Sequence, residues 1–158
     1  MKQKEVIVIL DNIRSTYNVG SIFRTADALG VKQLILGGTT PTPIDRFGRE
    51  RADIAKVSLG AEKSVPWKQE KAILPVIKKL KKEGYQIIAV EQSEKSVDYK
   101  REKTAGRVAF IMGAEVEGVA KDILKIADVI AEIPMLGKKE SLNVSVSFGV
   151  ALFRILNV

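Results

Sequence analysis

Three short segments carry residues whose types and spacing allow chemistry. In the first, Asn18 and Gly20 are followed by Arg24, so that a polar, flexible entrance precedes an apolar pattern at helical spacing. This pattern predicts a helix that begins near Asn18 and carries Arg24 in its first turns, where the arginine looks buried. Arg24 either forms a salt bridge inside the fold or contacts a substrate or a phosphate.

The second segment is GAEVEG at residues 113–118, and the third is IPMLGKKESLN at residues 133–143. Each has an ordinary structural explanation when it is taken alone. The glycines of GAEVEG suit a strand-to-helix turn with positive φ, and Ser141 or Asn143 is a suitable cap for a final helix. Neither G-x-G-x-x-G nor G-x-x-x-x-G-K-[ST] occurs, so a nucleotide held through its phosphates is not indicated.

The absence of two residue types narrows the chemistry. The chain has no cysteine and no histidine, which excludes disulfides, thiolate nucleophiles, the usual Ser-His-Asp hydrolases and histidine metal sites. We expect no metal site. Acidic and basic side chains, Tyr and hydroxyl groups remain for proton transfer. An enzyme built from this set needs unusual acid–base chemistry or a very reactive cofactor.

Length and charge limit the organisation and the partners. A chain of 158 residues, 46% of them hydrophobic, predicts a single domain over residues 1–158 with no added RNA-binding domain. The net charge of +7 favours a polyanion partner, although many basic proteins bind none. No segment resembles a signal peptide or a membrane span, so a cytoplasmic protein without a membrane partner is expected.

Alternating strands and helices must position the three segments. Strands are predicted over residues 6–10, 33–36, 85–90, 108–112 and 129–133. Helices are predicted around Arg24, then over 49–58, 69–82 and 119–126, and in the tail that follows residue 143, with Pro75 an awkward member of the third. The pattern predicts an α/β fold with a mainly parallel sheet and flanking helices. All three segments then lie beyond the carboxyl ends of strands, where such sheets bind ligands.

Taken in order, these segments resemble the three motifs of SpoU-type (TrmH-like) RNA 2′-O-ribose methyltransferases of the SPOUT superfamily. The matching patterns are N-x-G-x-x-x-R at residues 18–24, G-x-E-x-x-G at 113–118 and IPM…SLNVSVS at 133–147. VSLGAE at 57–62 and VPW at 65–67 extend the resemblance over essentially the whole chain. Three ordered motifs are much more specific than any one of them.

The resemblance implies a SPOUT α/β fold with a C-terminal trefoil knot, S-adenosylmethionine bent within the knot loops, and a homodimer built on the first and last helices. Knots are so rare that element patterns alone would have excluded this topology. The implied reaction methylates a ribose 2′-hydroxyl of tRNA or rRNA, with tRNA slightly preferred. Displacement at a sulfonium methyl requires in-line positioning and removal of a proton, so histidine and cysteine are dispensable.

The resemblance also assigns roles to single residues. Arg24 would contact the RNA, orient the phosphate and the hydroxyl, and stabilise developing negative charge, because arginine stays protonated in proteins. Asn18 and Glu115 would fix Arg24 and the substrate, and Ser141 and Asn143 would complete the catalytic site. Cofactor binding falls to Gly113, Ile133 and Leu142, with Val90 and Glu91 as weaker candidates.

One position departs from the family pattern. Members often carry Asn or another polar residue after the motif-two glycine, where this chain has Ala114. This departure, together with the positive charge, keeps a second hypothesis open, in which the chain is a noncatalytic RNA-binding SPOUT protein.

Overall fold

One parallel sheet organises the molecule. The computed structural model describes residues 4–104 and 106–158. Its strands follow the order β3-β2-β1-β6-β4-β7-β5, and every pairing between them is parallel. The strands are β1 (Glu5–Asp11), β2 (Gln33–Gly37), β3 (Trp67–Glu70), β4 (Gln86–Val90), β5 (Val97–Asp98), β6 (Arg107–Met112) and β7 (Val129–Glu132). The mainly parallel α/β fold expected from the sequence is confirmed.

Helices cover both faces of this sheet. They are α1 (Thr16–Ala28), α2 (Ala52–Ser58), α3 (Ala61–Ser64), α4 (Leu74–Lys82), α5 (Lys121–Ile126) and α6 (Val144–Leu156), with a 3-10 turn at Tyr99–Arg101. Val8 of β1 belongs to the core shared with α1 and α6, whereas the adjacent Ile9 belongs to the core shared with α4 and α5. Because the strands are buried on both faces, they read as continuous apolar runs.

The predicted helix over 69–82 is wrong at its start. Residues 67–70 instead form β3, which pairs with β2 at the edge of the sheet. The helix begins at Leu74, so Pro75 falls in the first turn. A proline is accepted there because the first N–H groups of a helix have no intrahelical partner. The apparent conflict at Pro75 therefore marked the true helix start.

The two-residue strand β5 was also missed. It pairs with β7 at the other edge of the sheet. Both missed strands are short edge strands held by backbone hydrogen bonds, and WKQE at 67–70 has little apolar periodicity to reveal it.

The tail forms the predicted helix. Asn143 Oδ1 accepts hydrogen bonds from the backbone N–H of Ser145 at 2.9 Å and of Val146 at 3.4 Å, and so caps α6. Phe148 and Leu152 lie fully buried one turn apart on the inner face of the helix. The start of α6 is therefore fixed to the third motif segment.

Strand order brings the three segments together. β6 inserts between β1 and β4, so Met112 pairs with Leu10 on one side and with Val90 on the other. Val90 in turn pairs with Ala131 of β7. The loops that follow β1, β6, β4 and β7 therefore leave from neighbouring points on one edge of the sheet.

We expect the Ile77→Ala substitution to lower the free energy of unfolding by about 2–5 kcal/mol, because it opens a cavity under α4. Ile77 is fully buried in the core that α4 shares with β4 and β6. Urea denaturation measures the change. Val116→Ala is the control, since Val116 is 88% exposed and its truncation should change the free energy by less than about 0.5 kcal/mol. Equal effects of the two substitutions would contradict this packing.

Candidate functional site

A cavity of about 510 Å³ lies at the carboxyl ends of β4, β6 and β7. Its volume is within the range of small-molecule sites. Eight of the ten residues singled out from the sequence line it, namely Val90, Glu91, Gly113, Glu115, Ile133, Ser141, Leu142 and Asn143. The structure therefore gathers most of the predicted site residues around one space.

A chain of hydrogen bonds connects the three motif segments. Glu115 Oε1 accepts from the Asn18 side-chain amide at 3.1 Å and from the Ser15 N–H at 3.2 Å. Its Oε2 accepts from the Arg14 N–H at 3.2 Å. The Asn143 side-chain amide donates to Asn18 Oδ1 at 3.1 Å. Asn18 thus joins the site through its neighbours, although it does not line the cavity.

The donor and acceptor ends of both asparagines follow from this network. Asn143 Oδ1 accepts from backbone N–H groups at the start of α6, so its amide nitrogen must face Asn18. Asn18 then presents its oxygen to Asn143 and its nitrogen to Glu115. The Asn18 nitrogen therefore needs an acceptor, which the Glu115 carboxylate provides.

Glu115 is held in its ionised form. Burial raises the pKa of Glu115, but its own backbone N–H, the Asn18 amide and the N–H groups of Arg14 and Ser15 outweigh that effect and lower the pKa below its ordinary value. The carboxylate is therefore an acceptor that clamps the start of α1 to the 113–118 loop. The nearby Arg14–Glu117 ion pair, at 3.1 Å, is well exposed and contributes little.

The glycines of GAEVEG have two different functions in the turn. Gly118 has φ of +69°, as the turn explanation requires. Gly113 is not in that region, and its role is close packing, since an added Cβ would lie 2.2 Å from the Gly118 carbonyl carbon. The expectation of positive φ at both glycines is wrong for Gly113.

Glu91 supports this loop as well as lining the cavity. Its Oε2 accepts from the Val119 N–H at 2.9 Å, and its Oε1 accepts from the Gln92 N–H at 2.8 Å. A Cβ at Gly118 would meet the same carboxylate at 2.2 Å. The hydrogen bond from Val119 to the Glu91 carboxylate thus stabilises the turn that begins at Gly113.

The cavity combines acidic and apolar groups. Glu91, Glu115 and Glu140 contribute carboxylates, and Met112, Ile133 and Leu142 contribute apolar side chains. Among the described residues that line it, none is lysine or arginine. Ala114 is nearly buried and adds another apolar group in place of the polar residue that the family pattern favours. Such a lining suits a ligand with a positive charge and a flat apolar part, and it is poorly suited to phosphates.

Arg24 lies outside this arrangement. The expectation that it is buried is wrong, because its side chain is exposed on α1 and the buried face of the helix is formed by other positions. Six residues separate it from Asn18, which places it about 9 Å further along the axis and on another face. It forms no hydrogen bond or ion pair with the described residues. The alternative of an internal salt bridge is therefore not supported.

Sequence reasoning missed two contributors, and it did not predict the burial of Asp11. Ser15 caps α1, with its Oγ accepting from the Asn18 N–H at 3.1 Å, a role that a serine three residues before Asn18 could have indicated. Gln92 donates from its side chain to the Glu140 carbonyl at 2.7 Å and so connects the β4 loop to the third segment. Asp11 is buried at the end of β1, where burial raises its pKa despite a hydrogen bond from the Ala120 backbone.

Two other kinds of feature are absent from the described residues. No helix within residues 4–104 and 106–158 is long and apolar enough to cross a bilayer. Within the same ranges, no group of three or more acidic side chains is arranged to hold a metal ion.

Two rRNA methyltransferases match most of this chain in sequence. It is 34% identical over 148 residues to the 23S rRNA (guanosine-2′-O-)-methyltransferase RlmB of Ralstonia nicotianae, a match that covers 94% of this chain and 57% of the relative. It is 35% identical over 147 residues to the enzyme of the same name from Escherichia coli, covering 93% of this chain and 58% of the relative. The chain therefore spans less than two thirds of these relatives.

Solved structures match the whole fold. An AdoMet-bound rRNA methyltransferase from Sinorhizobium meliloti superposes with a TM-score of 0.86 at 29% identity, over 98% of this chain and 56% of that one. The TrmH/SpoU tRNA modifying enzyme of A. aeolicus gives 0.84 at 30% identity, over 97% and 74%. The model of the SpoU rRNA Methylase family matches residues 5–153. This chain, with its three motif segments joined around one cavity, belongs to that SpoU methylase family.

Proposed function

We propose that this protein transfers a methyl group from S-adenosylmethionine to a ribose 2′-hydroxyl of RNA. The observation that carries the proposal is the hydrogen-bonded chain from Glu115 through Asn18 to Asn143, which joins all three motif segments beside one cavity. The names of the relatives support the same reaction. Because the chain spans only part of those relatives, their activity extends to it as a proposal.

The acidic and apolar cavity fits S-adenosylmethionine, which carries a sulfonium charge and an adenine ring. The backbone of Gly113 and the side chains of Val90, Ile133 and Leu142 would surround the ring, while Glu91 would keep the loop in place. When bound, this cofactor supplies a methyl group on a sulfonium that leaves as a neutral thioether. The chain itself needs to exclude water and align the RNA oxygen with that methyl.

Glu115, Asn18 and Asn143 position the two sides of the site in this proposal. They hold the start of α1, where RNA would enter, against the loops that hold the cofactor. The Ser141 hydroxyl is exposed at the cavity wall and is free to contact the ribose. The proton of the attacking hydroxyl passes to solvent or to an RNA phosphate, and Arg24 stabilises the developing negative charge.

Arg24 reaches the site of a second subunit in this proposal, which therefore includes a homodimer. The outer face of α6 presents Val146, Val150 and Phe153 at helical spacing, each about 40–50% exposed. α1 packs against α6, and the Thr25 methyl lies 3.7 Å from the position that a Cβ on Gly149 would take, so Arg24 is adjacent in sequence to a residue of this helix contact. Pairing two such faces would bury apolar surface and bring Arg24 to the partner.

The proposal keeps three further expectations from the sequence. They are a single domain over residues 1–158, a cytoplasmic location, and a trefoil knot in the C-terminal part. The knot is proposed from membership of the SpoU methylase family. Tracing the path of the chain from both ends would test it.

The sequence expectation and the names of the relatives indicate different classes of RNA substrate. The sequence alone slightly favours tRNA, whereas the curated relatives are named for 23S rRNA and the A. aeolicus neighbour for tRNA. We propose rRNA as the first substrate, since the relatives named for it are the more similar in sequence. The noncatalytic RNA-binding alternative retains only the positive charge and Ala114 in its favour.

Methyl transfer from labelled S-adenosylmethionine to rRNA and, separately, to tRNA tests the proposal. We expect a 2′-O-methylated nucleoside in the rRNA pool after nuclease digestion and mass analysis. The same nucleoside in tRNA alone would correct the substrate class. RNA binding without cofactor binding or transfer would establish the noncatalytic alternative.

We expect the Arg24→Ala substitution to lower methyl transfer by about 100-fold or more, as loss of a group that stabilises developing charge does elsewhere. Cofactor binding measured by calorimetry should stay within about twofold, because Arg24 does not line the cavity. Lys82→Ala, which removes an exposed charge at the end of α4, is the matched control. Unchanged transfer would reject the role of Arg24.

Mixing two inactive variants tests whether Arg24 acts across subunits. Arg24→Ala and Glu115→Ala are co-expressed with different tags, and the mixed dimer is isolated. If Arg24 serves the partner's cavity, one site of the mixed dimer has both residues and transfer returns. If Arg24 serves its own cavity, each site lacks one residue and transfer stays absent, which would reject the shared site.

The Glu115→Gln substitution should lower the free energy of unfolding by about 1 kcal/mol near neutral pH, after allowance for solvent exposure, because an amide nitrogen then faces N–H donors. The pKa of Glu115 is lowered from 4.5, so its contribution is present above that value and is lost as pH falls through the lower pKa of the folded state. Denaturant titrations across this acidic range measure the difference.

Glu117→Gln is the matched control, since Glu117 is exposed and bonded only to the Arg14 side chain among the described residues. It should change the free energy of unfolding by less than about 0.5 kcal/mol. A loss at Glu115 that does not diminish in acid, or an equal loss at Glu117, would refute the clamp.

A further inference from the structure

A short hairpin projects from the same edge of the sheet as the candidate site. Residues 43–51, called the arm here, fold back on themselves through an Arg51 N–H to Pro43 carbonyl bond at 2.8 Å and an isolated bridge between Ile44 and Glu50. The Asp45 N–H donates to the Arg49 carbonyl, also at 2.8 Å. All of these hydrogen bonds lie within the arm, and none of them involves a residue of the candidate site.

The tip of the arm is a tight turn that presents one aromatic ring. Asp45 Oδ1 accepts from the N–H groups of Phe47 at 2.8 Å and of Arg49 at 3.0 Å, and Gly48 has φ of +77°. The Arg49 N–H is the main cause of the lowered pKa of Asp45. Phe47 is 66% exposed at this tip. The hydrogen bonds of this turn keep the Phe47 ring exposed to water, although an aromatic ring is more stable when it is buried.

Two guanidinium groups accompany the ring. Arg46 lies 4.8 Å and Arg49 4.9 Å from the centroid of Phe47. Nucleic-acid bases stack on aromatic rings and on guanidinium planes. The tip of the arm therefore has two kinds of group on which a base can stack. Arg49 also pairs with Asp45 at 3.1 Å, whereas Arg46 has no ion pair with a described residue.

A second cavity of about 510 Å³ lies beneath the arm. Its polar lining includes Thr39, Thr42, Arg46, Arg51 and Gln69. The Nε atom of Arg51 is buried and has no hydrogen-bond partner within the described ranges. The side chain of Arg51 forms no hydrogen bond or ion pair with a described residue, so the outer nitrogen atoms of its guanidinium group remain available to a ligand in this cavity. A phosphate oxygen matches a guanidinium in charge and in geometry.

The arm has more basic than acidic side chains, so some of its positive groups are available to bind an anion. Asp45 is bonded to Arg49, and Glu50 pairs with Lys63 at 3.3 Å. Both carboxylates of the arm thus have partners, while Arg46 and Arg51 keep their charge available. The first cavity has the opposite character, since carboxylates line it.

The base of the arm is fastened to the candidate site. The Thr39 N–H donates to Asn12 Oδ1 at 2.9 Å, and the Ile13 N–H donates to Thr40 Oγ at 3.1 Å. The next two residues, Arg14 and Ser15, donate their N–H groups to Glu115. β2 is two strands from β6, so the two cavities begin about 10 Å apart along the sheet edge.

We propose that the arm binds an unpaired nucleotide of the RNA. The base stacks on the Phe47 ring beside Arg49, and a phosphate in the second cavity contacts Arg46 and Arg51. This inference rests on the proposed function, and it adds a second contact for the strand whose ribose enters the first cavity. A single strand is specified because a stacking platform needs a base with a free face.

Binding of a labelled, unstructured RNA oligonucleotide tests the arm by fluorescence anisotropy at several salt concentrations. We expect Phe47→Ala to weaken binding about 5- to 150-fold, the range that corresponds to stacking of one base. Its salt dependence should stay unchanged, since no phosphate contact is lost. Phe47→Tyr, which retains a ring, should restore binding to near the wild-type level.

Arg46→Ala should weaken binding and reduce the slope of log affinity against log salt by about 0.7. Lys82→Ala removes the same charge at the exposed end of α4, which leads into the amino end of β4, and should leave the slope unchanged. Equal effects at Arg46 and Lys82 would show that only diffuse charge attracts RNA, and would overturn the proposal. Wild-type affinity of Phe47→Ala, or no RNA binding by the wild-type chain, would also overturn it.

The outcomes separate this proposal from the proposed function. S-adenosylmethionine binding measured by calorimetry should be the same for wild type, Phe47→Ala and Arg46→Ala, because the arm does not line the first cavity. Methyl transfer by wild type with full RNA affinity of Phe47→Ala would reject the arm alone. Loss of RNA affinity in Phe47→Ala, with no transfer by wild type, would keep the arm and reject the enzyme.

Discussion

The ionised carboxylate of Glu115 is the interaction on which the candidate site depends. It joins the start of α1 to a loop 97 to 101 residues later in the chain, and Asn18 extends the connection by another bond to the cap of α6. The backbone N–H groups of α6 fix the acceptor end of Asn143, and this in turn fixes the orientation of the Asn18 amide toward Glu115. The lowered pKa of Glu115 is the electrostatic result of the same arrangement.

The sheet makes this connection possible, and the glycines make it compact. Because β6 enters between β1 and β4, loops far apart in sequence leave the sheet side by side. The 113–118 loop then folds tightly enough for Gly113 to contact Gly118, where a side chain on either residue would collide with backbone or with Glu91. A loop of ordinary residues would stand further from α1, and the Glu115 carboxylate would lose its partners.

Patterns in the sequence predicted the features of the structure that depend on burial of apolar residues and on local hydrogen bonds. Continuous apolar runs identified the central strands, and motif order identified the residues around the cavity. Edge strands such as WKQE at 67–70 were not predicted, because strands that are held mainly by backbone hydrogen bonds need no apolar pattern in the sequence. The double role of Glu91 was also out of reach, since it requires knowing that Gly118 and Val119 come back to the end of β4. Strand order is a long-range property that residue spacing does not encode.

Arg24 shows why a motif is not yet a site. Asn18 and Arg24 belong to one motif, but a helix turns by about 100° per residue and places them on different faces. The face with Asn18 is committed to Glu115 and Asn143, so rotation of α1 toward Arg24 would break those bonds. Within one subunit, Arg24 is exposed and does not line the cavity that Asn18 supports. The proposed homodimer is one arrangement in which Arg24 would serve another subunit, and the exposed apolar residues on the outer face of α6 are the surface proposed for that pairing.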